Sequence, residues 1–378
     1  MKNILYTIIL SFLFSSSVFA DMKAGVKAYQ AGDYETAYKE FKTLAEQGAA
    51  PAQFSLGSMH QNGYGVAQDY KEAAKWYRLA AEQGYVNAQF NLGAMYDRGV
   101  GVTQDDKEAV RLFRLSAEQG HTKAQHNLGR MYKKGDGVIQ DYKEAAKWYR
   151  LAAERGHDVS QLELGRMYAH GKGVKQDYKE AVRLYKLAAE QGTTAAQNNL
   201  GLMYRDGQGV AQDYKEAVRW LRLAVEQGDD FAQFNLALMY RKGNGVIQDD
   251  KEAVRLFRLS AEQGYSGAQY NLGWMYEFGK GITQDYKEAV RLYKLAAEQG
   301  TEEAVRAQNN LGLMYAKGQG VIKDYVIAHM WLNISASNGN EEAKTNRDTA
   351  EKLITSEQLA EAQKLARECI EKNYKDCG

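Results

Sequence analysis

The sequence predicts an all-helical solenoid of stacked helix pairs. Three observations predict it: a Leu-Gly pair that returns every 36 residues, an apolar stripe of helical period inside each copy, and a single proline in 378 residues with no segment that alternates as a strand would.

The repeat comes first. Leu-Gly stands at Leu56-Gly57, Leu92-Gly93, Leu128-Gly129, Leu164-Gly165, Leu200-Gly201 and Leu272-Gly273, and Leu236-Ala237 fills the missing step. Leu311-Gly312 follows 39 residues after the last, so three residues are inserted near Thr301 to Arg306. An acidic position keeps the same beat: Asp69, Asp105, Asp141, Asp177, Asp213, Asp249, Asp285 and then Asp324. These steps define eight units over residues 49–339.

The helical period shows in any one copy, for instance Tyr85 to Gly120. Asn87 is the expected cap of a first helix whose small or apolar positions are Ala88, Leu92, Gly93, Met95 and Tyr96. Gly99 ends that helix, Gly101 allows the turn, and Val102 plugs the core below it. Asp105-x-x-Glu108 has the form of a capping box for a second helix that buries Ala109, Leu112, Phe113 and Ser116. Pro51 falls at a helix start, where its missing donor does no harm. One such pair cannot bury its own apolar face, whereas stacked neighbours can.

The ends depart from the pattern. Residues 21–48 hold a shorter helix pair without Leu-Gly, an N-terminal cap. Residues 340–378 hold two polar helices, with Thr355 and Gln358 placed for a capping box, a C-terminal cap. Residues 1–20 look like a signal peptide: Lys2 is the positive start, Ile4 to Phe14 the apolar core, and Val18-Phe19-Ala20 the cleavage site, leaving Asp21 first. The apolar core is short for a membrane span. A periplasmic or secreted protein that does not span the membrane after cleavage is expected. Cys369 and Cys377, the only cysteines, are expected to pair in such a compartment, the alternative being two free thiols on a frayed terminus. A formal net charge of +1 lacks the basic excess of a nucleic-acid binder.

The string Ala-Gln-x-x-Leu-Gly-x-Met-Tyr-x-x-Gly-x-Gly-Val-x-Gln-Asp-Tyr-x-Glu-Ala, then Trp-Tyr-x-x-Ala-Ala-Glu-x-Gly, runs through Ala52 to Ala73 and Trp76 to Gly84, with His60 in place of the tyrosine. It resembles the Sel-one-like repeat family, relatives of the tetratricopeptide repeats. The resemblance implies a right-handed α/α superhelix that binds proteins, with a place in envelope regulation or host contact; a monomer without cofactor or metal is expected. A cysteine-rich branch of that family is linked to β-lactam binding, so an envelope enzyme acting on β-lactams or peptidoglycan is the alternative function. No cysteine pair occurs inside these repeats, and that activity is not carried over. A purely structural spacer is a third reading.

No catalytic residue is expected. Gly63-x-Gly65 and its copies follow no strand and precede no Lys-Ser or Lys-Thr, so they read as helix–turn–helix connections and not phosphate loops. The six histidines share no ligand spacing. Positions that vary between copies are more informative. On the first helices, a residue with its i+4 and i+7 neighbours gives one face, which by analogy with related repeats lines a concave groove. Phe54, Phe90, Phe234, Leu238, Tyr270 and Trp274 make it aromatic, and Arg130, Lys133, Arg166, Arg205 and Arg241 make it basic. Exposed aromatics in a patch are costly unless used. The expected partner is a protein presenting an apolar anchor flanked by acidic residues; drift on a solvated face is the alternative.

Overall fold

The computed structural model describes residues 22–375 and 377. The expected signal peptide, with its cleavage site, lies outside the described residues. Among these there are twenty helices and no strand. The chain divides into two compact units, the first ending at Ala188 and the second beginning at Ala189.

The N-terminal pair is α1 (22–30) and α2 (Tyr34–Glu46). The first helices of the eight repeats, here the A helices, are α3 (Ala50–Asn62), α5 (Val86–Arg98), α7 (Thr122–Lys134), α9 (Asp158–His170), α11 (Thr194–Asp206), α13 (Asp230–Lys242), α15 (Ser266–Phe278) and α17 (Glu302–Lys317). Their B partners are α4 (Tyr70–Glu82), α6 (Asp106–Glu118), α8 (Tyr142–Glu154), α10 (Tyr178–Glu190), α12 (Tyr214–Glu226), α14 (Asp250–Glu262), α16 (Tyr286–Ala297) and α18 (Tyr325–Ser337). The chain closes with α19 (Glu341–Glu351) and α20 (Ser356–Glu371). Within each unit consecutive helices pack on one another, as α3, α4 and α5 do in the first and α13, α14 and α15 in the second, and the fold is an all-α solenoid.

The B helices start for the reason the sequence suggests. Each repeat aspartate caps the first turn; Asp105 Oδ1 accepts from the Lys107 and Glu108 amides at 3.0 and 3.1 Å. The box is only half formed. The Asp105 amide donates to the Tyr96 carbonyl at 3.1 Å, which pins the A–B hairpin, and Glu108 turns to Arg111 at 2.6 Å. The reciprocal box does form at α20, where Thr355 and Gln358 exchange hydrogen bonds.

The A helices start differently. Tyr85, not Asn87, is the cap residue of α5, and it makes no side-chain cap bond; Asn87 lies inside the first turn. Ala49, Thr193 and Tyr265 likewise make no side-chain cap bond at α3, α11 and α15, whereas His121, His157, Asp229 and Thr301 accept from a first-turn amide of α7, α9, α13 and α17. The tight link from the preceding B helix sets these starts, through bonds such as the Tyr85 amide to the Ala80 carbonyl at 3.0 Å.

The two turn glycines have separate duties. Gly99 closes α5 in the left-handed region, at φ +68°. Gly101, at φ +72°, also lies against the Tyr70 carbonyl of the preceding B helix, where any side chain would collide. The Leu-Gly glycine is a crossing point: a Cβ at Gly57 would meet the Tyr77 ring at 2.8 Å.

The Ala-Gln of the repeat is a buried bridge. Gln89 Nε2 donates back to the Ala81 carbonyl at 3.3 Å, and its Oε1 accepts from Gln119 at 2.8 Å. Gln53, Gln197 and Gln269 repeat both bonds. Between these polar rungs lie layered cores, such as Val110, Phe113, Leu128 and Met131 in the first unit and Val254, Phe257, Leu272 and Met275 in the second.

Candidate partner-binding face

Cross-links between successive A helices show that within each unit their variable positions form one surface. In the first unit Arg130 donates to Asp97 at 2.6 Å and Lys133 to Glu163 at 2.5 Å. In the second, Arg205 donates to Asn235 at 3.2 Å, Asn235 to Asn198 at 3.1 Å, and Arg241 to Asn271 at 2.7 Å.

Their geometry corrects two expectations. The leading aromatics are half-buried rather than exposed. Phe54 lies on Tyr77 and Tyr85 at 5.6 and 5.2 Å, Phe90 on Phe113 and His121 at 5.9 and 4.5 Å, Phe234 on Phe257 and Tyr265 at 5.8 and 4.9 Å, and Tyr270 on Tyr293 at 5.8 Å. They cover the aromatic of their own B helix, so part of their apolar area is already used in packing. The basic positions are also engaged. Arg130 pairs with Asp97 and Asp136, Lys133 and Arg166 share Glu163, and Arg205 pairs with Asp206 at 2.7 Å. A paired guanidinium has little left to attract an acidic segment, so the expected basic patch is internally neutralised.

What remains open to solvent centres on α15. Trp274 is half-buried, with the Arg241 guanidinium 5.7 Å from its ring centre and the Phe278 ring at 5.1 Å. Leu238 packs beneath on α13. Phe278 is 51% exposed. Sequence reasoning missed it because it lies outside the i, i+4, i+7 face; the available signal was that every other copy is polar there, as at Arg98, Lys134 and Lys242. Phe231, also 51% exposed and 5.0 Å from Tyr265, was missed likewise. So were the turn residues Ile139, Ile247 and Ile322, at 92, 91 and 90% exposure.

Two clefts mark the N-terminal half of this face. One of about 500 Å³ in the first unit is lined by Phe54, Phe90, His121 and Lys123. One of about 780 Å³ in the second unit is lined by Tyr270, Asn309, Asn340 and Tyr374.

The nearest approach to a catalytic arrangement is Ser160, whose Oγ stands 2.9 Å from His126 Nδ1 and 3.0 Å from His157 Nδ1. Ser160 is fully buried, and His157 Nδ1 also accepts from the Ser160 amide at the start of α9. The serine is thus a structural link out of reach of a substrate. Burial, with His157 alongside, pushes the pKa of His126 down to about 4. Among the described residues no His, Cys, Asp or Glu cluster could hold a metal, and no helix is long and apolar enough to cross a membrane. Cys369 and Cys377 form a disulfide.

A tandem array of helix pairs with a variable A-helix surface defines an α-solenoid repeat protein. The Sel1 repeat model matches eight consecutive segments, 50–85, 86–121, 122–157, 158–193, 194–229, 230–265, 266–301 and 305–340, and the chain belongs to that family. Among solved structures it is similar to a protective antigen with an SLR fold present in uropathogenic Escherichia coli strains, at 33% identity over 98% of this chain and 95% of that one, with a TM-score of 0.54. It is also similar to a Sel1 repeat protein from Oxalobacter formigenes, at 35% identity over 81% and 88% of the two chains, with a TM-score of 0.64. No curated protein matches it. Sel1 repeat proteins generally act as protein-interaction scaffolds, and the solenoid is typically non-catalytic.

Proposed function

We propose that this chain is an exported monomeric scaffold that holds another protein on the A-helix face of its second unit, in envelope regulation or host contact. The observation that carries the reading is the Trp274–Phe278 pair, backed by Arg241 and Leu238: large aromatics, partly open, beside a guanidinium, the residue types that anchor interfaces. Because the other arginines are paired, the anchor is apolar and the acidic flanks expected from sequence are not part of the reading. Export is supported by the apolar N-terminal segment and by the protective-antigen character of the E. coli relative.

The test has two parts. N-terminal sequencing of protein recovered from the periplasm or medium is expected to begin at Asp21, and retention of Met1 would refute cleavage. Immobilised wild-type protein is expected to retain a partner from envelope extract or host secretions. A Trp274→Ala/Phe278→Ala variant with unchanged circular dichroism should weaken that capture by about 2 kcal/mol or more. Equal retention by the variant would move the site elsewhere.

A further inference from the structure

The cleft of about 780 Å³ lies where the array is out of step. The three inserted residues make α17 a helix of 16 residues against 13 for each other A helix, and the space between α15, α17 and α19 is larger than its counterpart beside Phe54 and Phe90. One wall is Tyr270. Another is Tyr374, which belongs to no repeat.

Tyr374 is held there by three devices. Asn373 and Tyr374 adopt φ of +52° and +64°, a conformation that bulky residues rarely take without compensation. The Tyr374 amide donates to the Cys369 carbonyl at 2.9 Å, and the disulfide ties buried Cys369 to Cys377 across it. The phenol oxygen accepts from Asn338 at 3.4 Å. Local strain and a covalent link thus converge on placing one aromatic ring at the cleft.

The lining selects a ligand. Asn340 Oδ1 already caps α19 and Asn309 Oδ1 accepts from Asn346, so what these two side chains have left to offer is their NH2 donors, which suit the carbonyls of a peptide main chain. The tyrosine faces cover aliphatic groups. The starts of α17 and α19 would ordinarily draw an anion, but Thr301 and Asn340 cap them, and Glu302, Glu341 and Glu342 face the same space against the single cation Arg306. Arg306 is itself paired with Glu302 at 2.6 Å and Lys344 stands 4.0 Å from Glu341, so the acidic excess of the cleft rests chiefly on Glu342. Tyr270 and Trp274 are four residues apart on α15 and share a face, so cleft and aromatic anchor are continuous.

We propose that this cleft binds an extended basic peptide segment, with Tyr374 as a wall positioned by the Cys369–Cys377 disulfide. The assignment deepens the protein-binding reading above and rests on it. The test titrates a fluorescein-labelled peptide of alternating lysine and serine into the full chain by anisotropy, beside its glutamate counterpart and a chitin oligosaccharide. The lysine peptide is expected to bind and the other two not. Glu341→Lys/Glu342→Lys, on the surface, should weaken it about tenfold at unchanged melting temperature. Tyr374→Ala and the Cys369→Ser/Cys377→Ser pair should each weaken it several-fold. Combined, they should do little more than either alone, because both act through the same ring. A folded wild-type protein that ignores the lysine peptide, or prefers the glutamate peptide or the sugar, overturns the proposal; wild-type affinity in the serine pair overturns the role of the disulfide. Capture of a partner lost with Trp274 and Phe278, alongside indifference to the lysine peptide, would leave the scaffold reading standing and remove the cleft alone.

Discussion

Gln125 lacks what its counterparts have. Where other B helices are followed by Gln83, Gln119, Gln227, Gln263 and Gln299, α8 is followed by Arg155, which reaches the Gly120 carbonyl but gives nothing to Gln125. Gln125 Oε1 is buried without a hydrogen bond. Gln119 serves both acceptors at its own junction, the Gly84 carbonyl and Gln89 Oε1, at 3.2 and 2.8 Å. Arg155→Gln should therefore stabilise the first unit by about 1–2 kcal/mol, the cost of an unmet buried acceptor, read as a higher melting temperature. No gain would mean that Gln125 finds another donor. His126 offers a second test at this scale. Its pKa falls from the ordinary 6.5 to about 4 on folding, so between those values the unfolded chain holds a proton that the folded one lacks. Its share of stability is complete above pH 6.5 and drains away as the pH falls toward 4. His126→Phe, the residue of the two preceding copies, should flatten that part of the stability profile. His121 and His157, also lowered by burial, leave a residual slope. An unchanged profile would show that His126 is not the titrating group. Neither feature was legible in the sequence, because a glutamine or histidine looks the same there whether buried or wet.

Elements were more legible than residues. The B helices announce themselves through aspartate caps, and Asp141→Ala should cost about 1 kcal/mol by leaving the Lys143 and Glu144 amides without their acceptor. Hydrogen exchange should quicken mainly in α7 to α9, since repeats couple to their neighbours. Unaltered exchange would mean water replaces the cap at no cost. The start of α5 was misplaced at Asn87 because no side chain makes it: the preceding turn does, through a backbone bond that leaves no mark on residue type. The C-terminal pair was legible as two polar helices, and the capping box that the sequence offers at Thr355 and Gln358 does start the second of them.

At the scale of the whole molecule the period was fully legible, since each 36-residue step repeats the same small, apolar and acidic positions. The surface was legible only in part. Variation singled out Trp274 and Tyr270, but it could not show that Phe54 and Phe90 lean on their own B helices or that Arg130 already has Asp97. Pairing across neighbouring repeats depends on register in space, and a single copy read alone does not contain it. Phe278 escaped for the opposite reason, standing just off the face that was read. Tyr374 lies beyond the repeats altogether, and only the fold brings it to Tyr270.

The contacts that join one repeat to the next recur within each unit: glutamine to carbonyl, arginine to tyrosine, glycine against backbone. Some helices are identical letter for letter, α4 with α8 and α6 with α14. A gene built this way offers long stretches of near-duplicate DNA to recombination. Unequal crossing-over between the stretches for α6 and α14 deletes or doubles four whole repeats, and the new junction is one the protein already knows how to make. The out-of-step α17 and the cleft beside it stay outside that traffic, because no other copy carries the three extra residues.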